Sequence, residues 1–423
     1  MTVTTTLAPF PHLHVRPPQG WVNDPNGIGF FDDRWHVFYQ YNPDAPVHAD
    51  ICWGLATSPD LVTWTDEPVA LRPRAGTIDA AGVWSGVATV ADGEPVLVYT
   101  AVPDDPANAG MALARREDGT WRAAESFAAP PPADPDLREV RDPFLVTVAD
   151  RRYAIVGGGR TDGTPLVLVY DATDLEHWTL LGELLTGTNR IASELALAQI
   201  WECPQLVRLP GTGTWALIVS LWHDEPGVPQ LDGVTVLLGD LDTTGPHPQF
   251  VPNGGHRLDS GPDFYAPQAL AHEGRVLLWG WTWEGRDRPQ AEIDAAGWAG
   301  CLTFPRELTA EGTQVRSAPA AELTALRRRP LPQDAELTIE VPAWEIETRG
   351  AVHLTLTGAA GDREIWSAPA DADHVRVLVD GSVIEAFVDG VATTLRAYPQ
   401  AGECWQIEAS SAVTGWELGP PTP

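Results

Sequence analysis

Three carboxylates in this 423-residue chain sit in settings better suited to chemistry than to solubility. Asp24 lies inside Trp21-Val22-Asn23-Asp24-Pro25-Asn26-Gly27, where two amides, a proline and a glycine restrict the backbone. A carboxylate held that rigidly suits directed attack on an electrophile. Asp142 lies in Arg141-Asp142-Pro143-Phe144, beside a permanent cation, and Glu202 in Trp201-Glu202-Cys203-Pro204, between an indole and a thiol. Two carboxyl groups about 5–5.5 Å apart hydrolyse a glycosidic bond with retention when one is an ionised nucleophile and the other a protonated acid. Their surroundings must push the two pKa values apart. Apolar neighbours are expected to raise Glu202 and amide donors to lower Asp24, which assigns Glu202 as acid/base and Asp24 as nucleophile. Asp142, next to Arg141, is expected to stay ionised and to grip sugar hydroxyls. Singly, each string has a plainer reading as an Asx turn or a surface salt bridge; the ordered set carries the weight.

Residues so distant in sequence need a fold that gathers them. Helical periodicity is scarce. Short apolar or alternating runs dominate, among them 34–41, 95–101, 153–157, 166–170, 215–221 and 234–238, separated by Gly, Pro, Asp and Asn. This is the pattern of many short antiparallel strands. Asp60-Leu61-Val62-Thr63-Trp64 returns as Asp174-Leu175-Glu176-His177-Trp178, 114 residues on, or twice 57. Four-stranded repeats of about 40–50 residues indicate a β-propeller, and 57 is a slightly long blade. Asp24, Ser85, Asp142, Glu202 and Tyr265 each head an apolar run, at intervals of 61, 57, 60 and 63 residues. Five near-equal steps predict five blades whose innermost strands bring these positions to one axial funnel. The chain is therefore expected to be all-β. A five-bladed propeller would span 1–312, a linker with a short helix at 322–328 would span 313–333, and a β-sandwich would span 334–423. Alternation returns in that last range at 375–379 and Val383–Val388.

Composition narrows the partners. With 27 basic and 58 acidic residues, the net charge of −31 argues against nucleic acid and anionic membrane surfaces. Every basic residue is Arg, which excludes a Schiff-base or phosphate-loop lysine. Gly157-Gly158-Gly159 reads as a strand-end turn, and His12-x-His14 as an incidental pair rather than a metal site. No cofactor and no metal are expected. No apolar run reaches membrane-spanning length and no leader pattern precedes Pro18, so a cytoplasmic location is expected, with Cys52, Cys203, Cys301 and Cys404 reduced. The 18 Trp residues are expected to divide between core and sugar-stacking faces.

The opening motif, with Phe38-Tyr39-Gln40-Tyr41-Asn42-Pro43, Cys52-Trp53-Gly54, Trp84-Ser85-Gly86, Arg141-Asp142-Pro143, Glu202-Cys203 and Asp263-Phe264-Tyr265, resembles glycoside hydrolase family 32, the β-fructosidases. The resemblance covers nearly the whole chain. It implies a propeller-plus-sandwich enzyme releasing β-D-fructofuranosyl units from sucrose, fructo-oligosaccharides or fructans. Asp24 would attack the anomeric carbon, Glu202 would protonate the leaving oxygen and then activate water, and Asp142 would stabilise the transition state. Asn23, Gln40, His48, Trp84, Ser85, Arg141, Tyr265 and Trp281 would line the substrate site. His48 stands where the family often has Trp, and Leu55 where it often has His; the first leaves the acceptor side open. A fructosyltransferase with the same triad and a non-catalytic sugar-binding propeller are the alternatives.

Overall fold

A computed structural model describes residues 9–225, 228–285 and 288–421. The first eight residues, on which the expected absence of a leader partly rests, and the last two of the sandwich range lie outside it. Five antiparallel four-stranded units follow one another. The first runs Gly20–Phe31, Arg34–Asn42, Cys52–Ser58 and Thr65–Leu71; the second Gly82–Ala91, Glu94–Val102, Gly110–Glu117 and Thr120–Ala123. The third runs Leu137–Val148, Arg151–Arg160, Pro165–Asp171 and Thr179–Thr186; the fourth Ile200–Arg208, Trp215–Glu225, Val228–Asp242 and Gln249–Arg257. The fifth runs Tyr265–His272, Arg275–Thr282, Arg306–Glu311 and Gln314–Pro319. The first strand of each unit packs against the first strand of the next, and the fifth packs back on the first. The result is a five-bladed propeller.

The ring is stitched shut by one short segment. Trp298–Ala299 pairs in parallel with Gly20 and Trp21 of the first blade, and Cys301–Leu302 pairs with Arg275–Thr282 of the fifth. The sequence echo marks equivalent loops. In the first and third blades an Asp carboxylate accepts backbone N–H bonds just ahead of a Trp whose indole donates to the backbone at Leu61 (3.1 Å) or Leu175 (2.9 Å).

Two expectations about local structure need correction. Gly157-Gly158-Gly159 is not a turn; it lies inside the strand Arg151–Arg160. A Cβ at these positions would come within 2.2, 2.5 and 2.3 Å of the carbonyl oxygens of Trp201, Glu139 and Gln199. The glycines let the third and fourth blades meet at Gly158–Trp201, joining both into one eight-stranded sheet. The range 313–333 is more than a linker. Gln314–Pro319 is the outer strand of the fifth blade, the expected helix is a 3-10 turn at Ala321–Leu326, and Arg327–Pro330 is an edge strand of the following sandwich. Val315 alone gives the first of these strands an apolar signal, which is why its alternation does not show in the sequence.

The sandwich stacks a six-stranded sheet on a four-stranded one, with Trp344 and Trp405 meeting edge to face across its core, centroids 5.8 Å apart. A buried ionic seam fastens it to the fifth blade and to the segment before the first. His14 lies between Asp380 (2.8 Å) and Glu385 (3.1 Å). Arg306 donates to Asp259 (2.7 Å) and Glu385 (2.8 Å), and Arg396 to Glu284 (3.0 Å). His14 is thus absorbed by this seam.

Candidate active site

Each innermost strand breaks its ladder where it faces the axis. The register slips at Asn23-Asp24 in the first blade, Ser85 in the second, Asp142 in the third, Cys203-Pro204 in the fourth and Ala266-Pro267 in the fifth. A bulge leaves residues unpaired and re-aims their side chains. Proline, which cannot donate to a ladder, is tolerated at such a break, and Pro25, Pro143, Pro204 and Pro267 stand there in four of the five blades. Asp142 (φ 64°), Cys203 (φ 46°) and Ala266 (φ 44°) adopt the left-handed conformation at the break, which non-glycine residues resist.

The breaks open into a cavity of about 590 Å³ at one end of the axis. Asn23, Asp24, Gln40, His48, Trp84, Ser85, Arg141, Asp142, Glu202, Tyr265 and Trp281 all line it. Asp24 accepts from the Ser85 hydroxyl on Oδ2 (2.6 Å) and from the Asn23 amide on Oδ1 (3.0 Å); Asn23 is itself held by the Trp21 indole (3.0 Å). Glu202 accepts from Arg141 on Oε1 (3.0 Å) and from the Tyr265 hydroxyl on Oε2 (2.7 Å). Asp142 accepts from the Cys203 backbone N–H (3.0 Å), while its own N–H donates to Thr100 (2.8 Å). The Cys203 thiol lies 3.6 Å from both Asp24 and Asp142, tying the two carboxyls to one sulfur. Gln40 donates to the Val83 carbonyl (3.3 Å), Trp21 and Trp281 form an aromatic wall (5.8 Å), and exposed His48 stands edge-on to Trp21 (6.1 Å).

The electrostatics depart from the sequence expectations, because neighbours along a strand point to opposite faces. Trp201 is fully buried, its indole donating to Ala196, so it does not wall Glu202. Arg141 turns to Glu202 and Glu139 rather than to Asp142. Burial raises Asp24 above the usual carboxylate range; the Ser85 and Asn23 bonds pull it down, but the nearby Glu202 charge adds to the rise. The amides thus fail to lower it. Asp142 is pushed up to about 7, first by burial; the Arg141 charge lowers it, and the charges of Glu202 and Asp24 raise it. The expectation that Arg141 keeps Asp142 ionised meets an opposing burial: the Arg141 charge does favour the carboxylate, but burial makes its ionisation harder than usual. Although burial works against its charge, Arg141 is held protonated by Glu202, Asp142 and Glu139. Burial and the adjacent carboxylates push the Cys203 thiol and the Tyr265 hydroxyl well above their usual values, so both remain proton donors.

Several lining residues escaped the sequence reading: Trp21, Arg138, Glu139, Trp222, Asp224 and Trp283. Period-two spacing was the available signal. Glu139 shares a strand face with Arg141, and Trp283 follows Trp281 by two.

Residues 14–319 match the model of the glycosyl hydrolases family 32 N-terminal domain. The chain is 29% identical to a sucrose-6-phosphate hydrolase from Escherichia coli, covering 93% of this chain and 90% of the relative. It is 30% identical to a raffinose invertase from the same species over the same shares. A Bombyx mori β-fructofuranosidase mutant solved in complex with sucrose superposes with a TM-score of 0.81 at 26% identity, covering 98% of this chain and 95% of the other.

Proposed function

The chain belongs to glycoside hydrolase family 32 and is a fructofuranosidase-type glycoside hydrolase, and from that premise we propose that Asp24 is its nucleophile, Glu202 its acid/base and Asp142 its transition-state stabiliser. The carrying observation is the convergence of these three carboxyls, from three different blades, on one cavity. Ser85 and Asn23 fix the direction of Asp24 without neutralising it, as attack at the anomeric carbon requires. Glu202 sits between a cation and a phenol, so a proton can leave it for the glycosidic oxygen while Arg141 stabilises the carboxylate that remains. Asp142 meets the sugar hydroxyls from the axis floor, and its hold strengthens as the ring gains positive charge. Asn23, Gln40, His48, Trp84, Ser85, Arg141, Tyr265 and Trp281 make up the sugar site in this proposal.

The substrate is a fructoside such as sucrose, as in the Bombyx mori complex, and water rather than a second sugar is the acceptor. A cytoplasmic setting is supported by four free cysteines, three of them buried. Among the described residues no helix is long and apolar enough to cross a membrane. The propeller domain is proposed to end at Pro319, where both the family match and the fifth blade stop. The test is fructose release from sucrose, kestose, inulin and levan by the wild type and by Asp24→Asn. Loss of all release in a variant that keeps its far-UV circular dichroism supports the assignment; undiminished release defeats it. Longer fructans accumulating at high sucrose would favour the transferase alternative.

A further inference from the structure

The cavity mouth carries information about what the fructosyl group is attached to. Two guanidiniums, Arg138 and Arg141, line the cavity among the described residues, and the chain has no lysine. Both guanidiniums are already engaged. Arg141 donates to Glu202 and Glu139. Arg138 donates to Asp224 at 2.8 Å, lies 3.5 Å from Glu139, and has its flat face over the Trp222 ring, 5.1 Å from the centroid. Against these two cations the described lining presents five carboxyl groups: Asp24, Glu139, Asp142, Glu202 and Asp224.

We infer that this site takes fructosides whose leaving group is uncharged, and that the Arg138–Asp224 pair turns away a phosphorylated one. The inference rests on the fructofuranosidase assignment. A phosphoryl group carries about −1.5 to −2 charges near neutral pH and is normally met by unpaired arginines or lysines. Here the guanidiniums it would approach are already flanked by Asp224 and Glu139, and it would sit among carboxylates. Neutral sugar hydroxyls meet no such barrier. They can donate to carboxylate oxygens of the lining while a ring face lies against Trp222 or Trp283. The Escherichia coli sucrose-6-phosphate hydrolase and raffinose invertase are about equally similar to this chain, so the lining rather than that identity carries the point.

The test is kcat/KM for sucrose against sucrose phosphorylated on the glucosyl 6-hydroxyl, in the wild type and in Asp224→Asn. The wild type should favour sucrose by roughly tenfold or more, given the cost of like-charge contact. That margin should narrow as added salt screens the exposed mouth. Asp224→Asn, which frees one edge of Arg138, should lower KM for the phosphorylated sugar and move the ratio several-fold toward it. A wild-type preference for the phosphorylated sugar overturns the inference. A clear wild-type preference for sucrose with a ratio unmoved in Asp224→Asn overturns the role of the pair. Absence of fructose release from both sugars defeats the fructofuranosidase assignment itself, and this inference falls with it.

Discussion

The axial cavity and the seam between propeller and sandwich are built from the same side chains and behave in opposite ways. In the seam, carboxylates meet cations. Burial alone would raise Glu385, yet Arg306 and His14 hold it below its usual range; Arg396 and Arg288 do the same for Glu284. At the axis, among the described residues, five carboxyl groups share the cavity lining with Arg138 and Arg141, and both Asp24 and Asp142 are raised. Burial is common to the two regions, so the ratio of cations to carboxylates makes the difference. A matched ratio yields a fastening. An unmatched one leaves buried aspartates that hold their protons more readily than usual, a shift that acid–base chemistry can use.

The sharpest way to break this comparison is to exchange the consequences. Asp24→Asn should lower kcat by roughly 10⁴-fold while leaving the melting temperature unchanged or raised, measured by fructose release and differential scanning calorimetry. A large fall in stability would mean that the axis is also a fastening. Arg306→Met should do the reverse. It strands Asp259 and Glu385 in a buried site, at a cost of about 3–5 kcal/mol in denaturant unfolding. Fructose release per folded molecule should persist, because Arg306 lies outside the cavity.

His14 offers a finer test within the seam. Burial opposes its charge, but Asp380 and Glu385 outweigh it and raise the imidazole above the usual 6.5. A raised histidine contributes stability that is complete below its unfolded value and is lost as pH rises through the folded value. His14→Gln should therefore be less stable than wild type at pH 6 by about 1.5–3 kcal/mol, the worth of a hydrogen bond to a charged partner. The deficit should shrink on the alkaline side of neutrality. A deficit independent of pH would mean that His14 acts by shape alone.

The axis was far more legible in the sequence than the seam. Asp24, Ser85, Asp142, Glu202 and Tyr265 recur once per blade because each blade spends one turn of chain returning to the axis. Spacing alone could therefore place them together, and all five do line one cavity. The direction of each side chain was not legible. Alternation and bulges decide it: Arg141 hydrogen-bonds to Glu202 and Glu139 although its charge also acts on Asp142, and Trp201 turns away from the cavity. The Pro25, Pro143, Pro204 and Pro267 series marks four of the five bulges and was the signal to use. The seam had no periodic signal: His14, Glu284, Arg306 and Glu385 are joined only by the docking of the sandwich, and nothing local specifies it.

The smallest expected effect tests the axis from the stability side. Asp142 ionises with difficulty in the folded protein, because burial and the charges of Glu202 and Asp24 oppose it. A raised carboxyl costs nothing below its unfolded value of 3.8, where both states are protonated. The cost grows as pH rises toward the folded value and is complete above it. Asp142→Asn removes that ionisation, and the amide oxygen can still accept from the Cys203 N–H. The variant should match wild type near pH 4 and exceed it near neutrality by about 0.5–2 kcal/mol, the usual gain from relieving a functional site, while fructose release collapses. The two pH series then run in opposite directions. The seam variant's deficit fades as pH rises and the axial variant's advantage grows. Parallel slopes would show that the ratio of cations to carboxylates does not separate the two regions.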